Sequence, residues 1–363
     1  MSDEVKAALA AVVDGRTLTL DEARGAMGSV MDGAATPALL AALLVALRMR
    51  GETVDELAGF AMAMRERVLA VDAPAGAIDT CGTGGDGSGT FNISTTAALV
   101  AAAAGIPVAK HGNRAMTSRS GSADVLDALG VRIDHDAESA ATALRESGFA
   151  FLFAPEFHPA MKHAGPTRRE IGVRTAFNLL GPLTNPAGAR RQVVGVADAA
   201  AAPRVAAVLH RLGVDRAFVV GGDGIDELPL DGSGVIHDVG PNGVEVRTVD
   251  AATLGLAKAS NAKLAGGTPE ENARIVESVL RGEPGARRDV VVLNAAAALV
   301  VAGVAVDLVE GIERAALTID AGLATELLER LRAERRSAEA RRPAQATPDG
   351  GRDAASLAGT APG

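Results

Sequence analysis

The sequence predicts an α/β protein in which a small helical lobe is followed by a larger α/β lobe with a mainly parallel central sheet. Residues 1–72 carry explicit helix start and stop signals. From residue 77 onward, the pattern changes to a strand, a polar or glycine-rich loop and a helix, repeated several times. The chain has 363 residues, which is enough for two lobes because domains usually run roughly 100–200 residues.

The helix boundaries of the first lobe are predicted by capping residues. Two T-x-x-E capping boxes mark helix starts, because the threonine hydroxyl and the glutamate carboxylate satisfy free N–H groups of the first turn. A threonine–proline pair marks a third start, and two glycines mark helix ends. These residues are Thr19 with Glu22, Thr53 with Glu56, Thr36 with Pro37, and the glycines Gly33 and Gly51.

The helix expected from Pro37 to Met49 is apolar on nearly every face. Such a helix is either central in its lobe or covered by a second subunit. Both interpretations are open from the sequence.

The α/β lobe is expected to span residues 73–334. Strands separated by helices of this length indicate parallel βαβ units, whose ligands bind at the carboxyl ends of the strands. From residue 335 to residue 363 the chain lacks periodicity and is rich in Ala, Gly, Pro and Arg, so we expect a disordered tail. The predicted strands are Ala77–Asp79, Ile106–Ala109, Phe149–Phe153, Gln192–Val196 and Ala217–Val220.

Composition and charge argue against several functional classes. The net charge of −9 and the absence of Trp and Tyr disfavour nucleic-acid binding, which relies on cations and stacking platforms. Cys81 is the single cysteine, so an intrachain disulfide is impossible and a reducing compartment fits best. The N-terminus lacks the basic region of a signal peptide, and no clean apolar span of about 20 residues occurs. We expect a cytoplasmic protein that binds neither nucleic acid nor membrane.

The first candidate site is the glycine-rich segment 79–95. Five glycines between Gly82 and Gly89 permit positive φ and bring bare N–H groups against an anion. The segment runs into a helix whose N-terminus favours phosphate, and Asn92, Ser94 and Thr95 add side-chain donors there. Neither a Walker nor a dinucleotide-binding spacing is present. A flexible surface turn is the alternative, but a turn needs only one or two glycines, so the segment predicts a phosphate site.

A second polar loop, residues 110–122, follows the next predicted strand. It holds three Lys or Arg cations, four hydroxyls and Asn113, a set that suits a phosphate-rich ligand. A solvated basic loop would explain it equally well if it stood alone. Two anion-binding loops after neighbouring strands are much harder to explain in that way.

Two further segments are weaker signals. The acidic turn 223–227 could hold Mg²⁺, which prefers oxygen ligands, although an ordinary acidic turn is the stronger interpretation when it is taken alone. In segment 157–186, Arg168 and Arg169 could meet a substrate carboxylate, although a charged helix surface is the simpler interpretation. His158 and His163 lie five residues apart rather than four, so a zinc site is not expected.

Taken together and in order, these blocks resemble the anthranilate phosphoribosyltransferases. The resemblance runs from about residue 5 to about residue 332 and rests on GTGGDGSGTFNIST, KHGNRAMTSRSGSADVLDALG, FHPAMKHAGPTRREIGVRTAFNLLGPLTNP and GGDGIDEL. It implies a nucleoside phosphorylase/phosphoribosyltransferase-like fold and a homodimer formed through the helical lobe. It also implies Mg²⁺-dependent transfer of the 5-phosphoribosyl group from phosphoribosyl pyrophosphate (PRPP) to the amine of anthranilate, a step of tryptophan biosynthesis.

The resemblance also implies a set of site residues in a cleft between the lobes, where the segment 168–186 packs onto the helical lobe. For PRPP they are Gly82, Gly85, Asp86, Thr90, Asn92, Ile93, Ser94, Thr95, Lys110, Ser118 and Ser122. For Mg²⁺ they are Ser94, Asp226 and Glu227. For anthranilate they are Gly82, Asn113, His158 and Arg168, and the catalytic set is His111, Asn113 and Arg168.

Two rival functions remain on the sequence alone. A pyrimidine nucleoside phosphorylase has a similar fold and also handles ribose with phosphate, but its Lys-His-Ser glycine loop is absent here. A nucleic-acid-binding relative that has lost the anthranilate site would fit the fold, but the acidic charge and the intact Arg168 and Asn113 argue against it.

Overall fold

The computed structural model describes residues 3–85, 87–115 and 118–341. The predicted fold class is confirmed, since a helical lobe precedes an α/β lobe with a mostly parallel sheet. Within the described ranges, the first lobe consists of α1 (Asp3–Val13), α2 (Leu20–Met31), α3 (Pro37–Arg50) and α4 (Val54–Arg65).

The helix starts follow the predicted capping chemistry. Thr19 and Thr53 each accept a hydrogen bond from the N–H group of the glutamate three residues later, and both capping boxes are complete. Thr36 accepts from the N–H group of Leu39, with Pro37 in the first turn of α3. Gly51 ends α3 with φ 91°, a conformation that side chains rarely adopt. Local sequence therefore sets these boundaries.

Helix α3 buries only one of its two apolar faces within the chain. The buried face packs in the core of the helical lobe and consists of Leu40, Leu43, Leu44 and Leu47. The opposite face is exposed and is also apolar. Its residues are Ala38, Ala42, Val45 and Met49, which we call the α3 stripe. Met49 is 83% exposed, so the chain itself leaves this face of the helix uncovered.

The α/β lobe is built on a seven-stranded sheet with the order β3-β2-β1-β4-β5-β6-β7 among the described residues. Strands β1 to β5 pair with one another in parallel, as predicted. The last two strands run antiparallel and were missed by the sequence reasoning. The strands are β1 (Ile78–Gly82), β2 (Val108–Gly112), β3 (Phe149–Phe153), β4 (Arg191–Gly195), β5 (Arg216–Gly221), β6 (Gly234–Gly240) and β7 (Gly243–Val249).

Helices cover both faces of this sheet. Nearly all of α13 is buried, which indicates that it lies at the centre of one face. The helices are α5 (Ile93–Ala103), α6 (Ser122–Ala128), α7 (Ala137–Glu146), α8 (Ala154–Phe157), α9 (Gly165–Ile171), α10 (Phe177–Leu180), α11 (Ala202–Arg211), α12 (Pro269–Leu280), α13 (Ala286–Ala302), α14 (Leu308–Asp320) and α15 (Leu323–Arg341). Short 3₁₀ helices cover Pro159–His163, Gly181–Leu183, Ala251–Leu254 and Asn261–Leu264.

The segment that contains α9 and α10 joins the two lobes. Phe177 and Leu180 share one apolar cluster with Leu43 and Phe60 of the helical lobe. The same segment meets the end of β2, where Nδ1 of His111 lies 3.2 Å from the carbonyl oxygen of Gly181. Side chains of this segment therefore lie beside the carboxyl ends of the strands.

The C-terminal boundary differs from the expected one. Helix α15 runs through Arg341, so residues 335–341, expected at the start of a disordered tail, are helical. Arg335 anchors this part of the helix by an ion pair of 2.8 Å with Asp127. Residues 342–363 lie outside the described residues. In the part of the chain that the structure describes, no helix has both the length and the apolar character needed to cross a membrane.

Candidate active site

The predicted site segments meet at one edge of the sheet. Strands β2, β1, β4 and β5 are parallel neighbours, with Gly82 opposite Gly195 and Gly195 opposite Val220, so the loops that follow β1, β2 and β5 begin close together. A Cβ atom at Gly82 would collide with the carboxylate of Asp226, and one at Gly195 would collide with the Asp226 backbone. The two glycines thus allow the acidic turn to lie directly against the end of β1.

The glycine-rich loop adopts backbone conformations that few residues other than glycine reach. Gly84, Gly85, Gly87 and Gly89 all have φ between 63° and 70°. The N–H group of Gly84 donates to Oδ2 of Asp226 at 3.2 Å. The loop therefore presents backbone donors next to the acidic turn, which is the arrangement expected of a site for an anion and a cation together.

The acidic turn and the start of α5 form a second contact between these segments. The N–H group of Ser94 donates to Oε1 of Glu227 at 2.9 Å. Burial, and then the neighbouring Asp226 carboxylate, raise the pKa of Glu227 to about 8. A divalent cation would offset both causes, so the pair fits Mg²⁺. No group of three or more His, Cys, Asp or Glu side chains forms a metal site by itself in the described ranges, so water and substrate oxygens would complete the shell.

Asn92 at the start of α5 links the two predicted phosphate loops. Its Nδ2 donates to the carbonyl oxygen of Ser120 at 3.2 Å, and its Oδ1 accepts from Nδ2 of Asn272 at 2.9 Å. Asn272 is only 2% exposed and also accepts from the N–H group of Gly267 at 2.7 Å. These bonds fix which way the Asn92 amide faces, and Asn272 was missed by the sequence reasoning.

Several polar groups of the second loop make contacts within the protein. Lys110 is 2% exposed, and its ammonium donates to the carbonyl oxygen of Thr80 inside the sheet. Ser118 is exposed, and Oγ of Ser122 donates to the carbonyl oxygen of Asn113 at 3.3 Å. Asn113 is exposed, and its Oδ1 accepts from the N–H group of Arg114 at 2.8 Å.

A buried carboxylate lies below the second loop. Oδ2 of Asp79 accepts from Nδ2 of Asn185 at 2.7 Å, and Oδ1 accepts from the N–H group of His111 at 3.2 Å. Desolvation raises the pKa of Asp79, while Lys110 opposes the shift. Asp79 therefore holds the end of β2 and the preceding lysine in place. Neither Asp79 nor Asn185 was assigned a role from the sequence.

His111 and His158 form a pair with ring centroids 5.1 Å apart. Burial lowers the pKa of His111 to about 3 and that of His158 to about 4, so both rings are neutral near pH 7. Nδ1 of His111 lies 3.2 Å from the carbonyl oxygen of Gly181, and the ring of His158 hydrogen-bonds to the backbone of Thr184. Both Nε2 atoms are buried and find no partner among the described residues. The pair can therefore accept or donate a hydrogen bond to a ligand.

Arg168 lies on α9 with its guanidinium 4.7 Å from the ring centroid of Phe177. Burial lowers its pKa, and no carboxylate of the described residues forms an ion pair with it. Arg169 next to it is exposed. A half-buried guanidinium without a carboxylate partner is suited to an incoming carboxylate, and Phe177 holds it in place by cation–π stacking.

Several of the expected PRPP residues are buried or make contacts within the protein. The side chain of Ile93 is 1% exposed within the apolar core, and its N–H group donates to the carbonyl oxygen of Phe91 at 2.7 Å, so Ile93 is a core residue. Thr95 is likewise buried in the first turn of α5. Thr90 is half-buried, and its hydroxyl lies 3.2 Å from that of Ser88. Asp86 lies outside the described residues.

Family models and curated relatives match nearly the whole of this chain. The family described as "Glycosyl transferase family, helical bundle domain" matches residues 6–68, and "Glycosyl transferase family, a/b domain" matches residues 75–325. The anthranilate phosphoribosyltransferase of Pelotomaculum thermopropionicum is 54% identical over 329 residues, which cover 90% of this chain and 95% of the relative.

Two solved structures are similar over nearly their whole length. The crystal structure of the anthranilate phosphoribosyltransferase from Thermus thermophilus has a TM-score of 0.86 at 46% identity, covering 91% of this chain and 99% of that one. The enzyme from Saccharomyces cerevisiae, in complex with PRPP and Mg, has a TM-score of 0.83 at 27% identity, covering 93% and 99%. Because relatives that are about half identical match it over nine-tenths of its length, this chain belongs to the anthranilate phosphoribosyltransferase family.

Proposed function

We propose that the cleft at the carboxyl edge of the sheet binds PRPP and anthranilate side by side and transfers the 5-phosphoribosyl group to the anthranilate amine. The reaction releases pyrophosphate and gives N-(5-phosphoribosyl)anthranilate, in tryptophan biosynthesis. The observation that carries this proposal is that a glycine-rich loop, an acidic pair and the segment that holds Arg168 meet at one edge of the sheet.

The PRPP side is proposed to consist of the glycine-rich loop and the start of α5. Backbone N–H groups of the loop and the helix N-terminus favour the pyrophosphate, because they provide fixed donors and a partial positive charge. Ser94, Asp226 and Glu227 would hold Mg²⁺, which supplies neutralisation of charge on the departing pyrophosphate. The ammonium of Lys110 already donates to the carbonyl oxygen of Thr80. We therefore propose that Lys110 attracts PRPP through its positive charge from beneath the loop.

The anthranilate side is proposed to consist of Arg168, Asn113 and the histidine pair. Arg168 would bind the carboxylate, and a guanidinium can do so with two parallel hydrogen bonds. His111 and His158 offer Nε2 atoms that could contact the amine or ring, and the neutral state of both avoids repulsion with Arg168. The aniline nitrogen is itself neutral at pH 7, so a strong general base is unnecessary.

Catalysis would then arise mainly from placement and electrostatics. The amine attacks C1 of the ribose as the bond from C1 to pyrophosphate breaks, and the nitrogen afterwards loses one proton. Fixed loop donors stabilise the negative charge that develops on pyrophosphate, since preorganised dipoles need no rearrangement during the reaction. Holding the amine against C1 supplies the remaining advantage.

The experiment follows anthranilate fluorescence with purified protein, PRPP and Mg²⁺, and omits each component in turn. We expect a loss of fluorescence that requires both PRPP and Mg²⁺. If fluorescence persists while calorimetry detects PRPP binding, the acceptor is a different molecule. Retention on heparin at moderate salt without PRPP-dependent turnover would instead favour the nucleic-acid-binding relative.

We also propose a cytoplasmic homodimer that buries the α3 stripe. An exposed apolar face on a helix gains free energy when a second copy covers it, and spacing of the α3 stripe at three and four residues suits helix packing across a twofold axis. Light scattering of the wild type should give twice the chain mass. M49E should shift the protein towards the monomer, and a monomeric wild type at micromolar concentration would refute the dimer.

A further inference from the structure

Arg174 connects the segment after α9 to the glycine-rich loop. Its Nη1 donates to the carbonyl oxygen of Gly84 at 2.9 Å and to that of Gly85 at 3.2 Å. A Cβ atom at Gly85 would collide with this guanidinium, so the glycine there permits the approach. The arginine and the loop lie about 90 residues apart in sequence.

The contact orients the loop because a peptide group is planar and trans. The carbonyl of Gly84 and the N–H group of Gly85 belong to the same peptide and face in opposite directions. When Arg174 binds that carbonyl, the N–H group of Gly85 is turned to the other side of the loop. The N–H group of Gly84 meanwhile donates to Asp226 at 3.2 Å. Glycines alone would not select this arrangement, because they adopt many backbone conformations.

The segment that carries Arg174 also carries Arg168. Between the two arginines the chain ends α9 at Gly172, which has φ 68°. Directly after Arg174, the N–H group of Thr175 donates to Oδ1 of Asn178 at 2.9 Å, and Phe177 is buried under the Arg168 guanidinium. Hydrogen bonding and burial therefore fix the segment that directly follows Arg174 relative to Arg168, and the exposed Arg174 side chain extends from it to the loop.

We propose that Arg174 is a positioning residue that couples the PRPP and anthranilate sites. It holds the phosphate-binding loop in its binding conformation. Because Arg174 lies on the same segment as Arg168, the segment that binds the anthranilate carboxylate also determines the conformation of that loop. Occupation of one site then favours the conformation needed at the other, which is a coupling free energy between sites. The inference rests on the proposed function, because it requires that both ligands bind this cleft.

The test measures anthranilate affinity by fluorescence with and without Mg²⁺ plus inorganic pyrophosphate, which cannot react with anthranilate. In the wild type we expect pyrophosphate to tighten anthranilate binding at least roughly five-fold. In R174A this ratio should fall to about one, and the pyrophosphate dissociation constant from calorimetry should rise roughly ten-fold, the loss expected for one charge-assisted hydrogen bond. R174K keeps the positive charge and an N–H donor. Its coupling ratio and its pyrophosphate dissociation constant should therefore lie between those of the wild type and R174A.

R16A is the matched control, because Arg16 is also exposed and donates to a backbone carbonyl, that of Thr17 at 3.2 Å, in the helical lobe. Arg16 also donates to Oε2 of Glu22 at 3.0 Å, a contact that lies in the helical lobe as well. R16A should leave the coupling ratio and both affinities unchanged. R174A could lower the melting temperature more than R16A does. In that case the coupling ratio of R174K is compared with that of the wild type, since a merely structural role of Arg174 would not change this ratio.

The possible outcomes are distinct. Coupling that persists in R174A, or that is absent from a wild type that binds both ligands, overturns the inference and leaves the proposed function intact. A wild type that binds neither anthranilate nor Mg²⁺-pyrophosphate defeats the proposed function, and the inference with it. Coupling that is lost in R174A and kept in R16A supports the inference.

Discussion

Replacing Arg168 by alanine removes the group that is proposed to bind the anthranilate carboxylate. In the structure the guanidinium is half-buried, stacks on Phe177 at 4.7 Å, and has no carboxylate partner among the described residues. Its position is therefore maintained without an internal ion pair. R168A should weaken the binding of anthranilate and leave the PRPP site, which is on other segments, nearly unchanged.

The size of the effect follows from the contacts that are lost. A hydrogen bond to a charged group contributes about 1.5–3 kcal/mol, and a guanidinium can form two with one carboxylate. Water partly replaces them in a half-exposed cleft, so we expect a loss of about 2–3 kcal/mol, or roughly 30–150-fold in the anthranilate KM. The melting temperature should change by about 2 °C or less, because removing a desolvated charge offsets the lost stacking.

The assay measures initial rates of anthranilate fluorescence loss while each substrate is varied at saturating amounts of the other. R168K keeps the charge but loses the planar fork, so its anthranilate KM should lie between those of the wild type and R168A. R169A is the neighbouring comparison. Its side chain is exposed, and surface substitutions usually change free energies by less than about 0.5 kcal/mol.

An equal rise of the KM values for anthranilate and PRPP in R168A would refute the assignment. It would mean that the substitution disturbs the shared cleft and that the carboxylate binds elsewhere. A large effect in R169A with none in R168A would move the carboxylate site to the adjacent residue.

Three further predictions concern the metal pair, the histidines and Asn272. D226N and E227Q should each raise the Mg²⁺ concentration for half-maximal rate by more than roughly ten-fold, because even residues that only hydrogen-bond to metal ligands cause a loss of that size when they are replaced. Unchanged Mg²⁺ titrations would show that these two residues do not bind the metal. Because His111 and His158 have pKa values of about 3 and about 4, the anthranilate KM should show no inflection near pH 6.5. Unfolded histidines gain protons below about pH 6.5 while these two do not, so the pair lowers the free energy of unfolding as the pH drops from 6.5 towards 4, by up to about 1.4 kcal/mol per pH unit for each ring. Glu227, whose pKa is raised to about 8, acts in the opposite direction over this range, so the measurement uses E227Q. Urea titrations of E227Q with equal midpoints at pH 7.5 and 5.5 would contradict the histidine prediction. N272D removes the donor that orients Asn92 and should raise the PRPP KM roughly 5–100-fold with little change for anthranilate, whereas a parallel rise of both would indicate general loss of structure.

Local signals in the sequence were sufficient for much of the fold. The boundaries of β3 and the capping boxes of α2 and α4 depend on residues within a few positions of each other, and they agree with the structure. The hairpin of β6 and β7 was missed, although Asn242 at the end of the turn and Gly243 at the start of β7 form an Asn-Gly pair, a strong hairpin signal. The repeated βαβ pattern before it predicts a mainly parallel sheet and does not indicate where antiparallel strands would lie.

The candidate site was predictable only in outline. Glycine loops and acidic turns are recognisable by their composition, but the partners that orient them come from distant parts of the chain. Asn272 meets Asn92 across 180 residues, and Asp79 meets Asn185 across 106. Burial also changes the role of a residue type, since Lys110 lies inside the sheet and Ile93 in the core. Such contacts depend on the packed tertiary structure, so the sequence pattern alone does not specify them.

The most direct measurement of the central claim is the stoichiometry of the reaction. Purified protein, Mg²⁺, PRPP and anthranilate are mixed, and pyrophosphate release, anthranilate loss and product mass are recorded together. The account predicts one pyrophosphate released for each anthranilate consumed, with a product of the mass of N-(5-phosphoribosyl)anthranilate. Pyrophosphate released from PRPP without consumption of anthranilate would contradict it, because the cleft would then deliver the ribose to water and not to the amine.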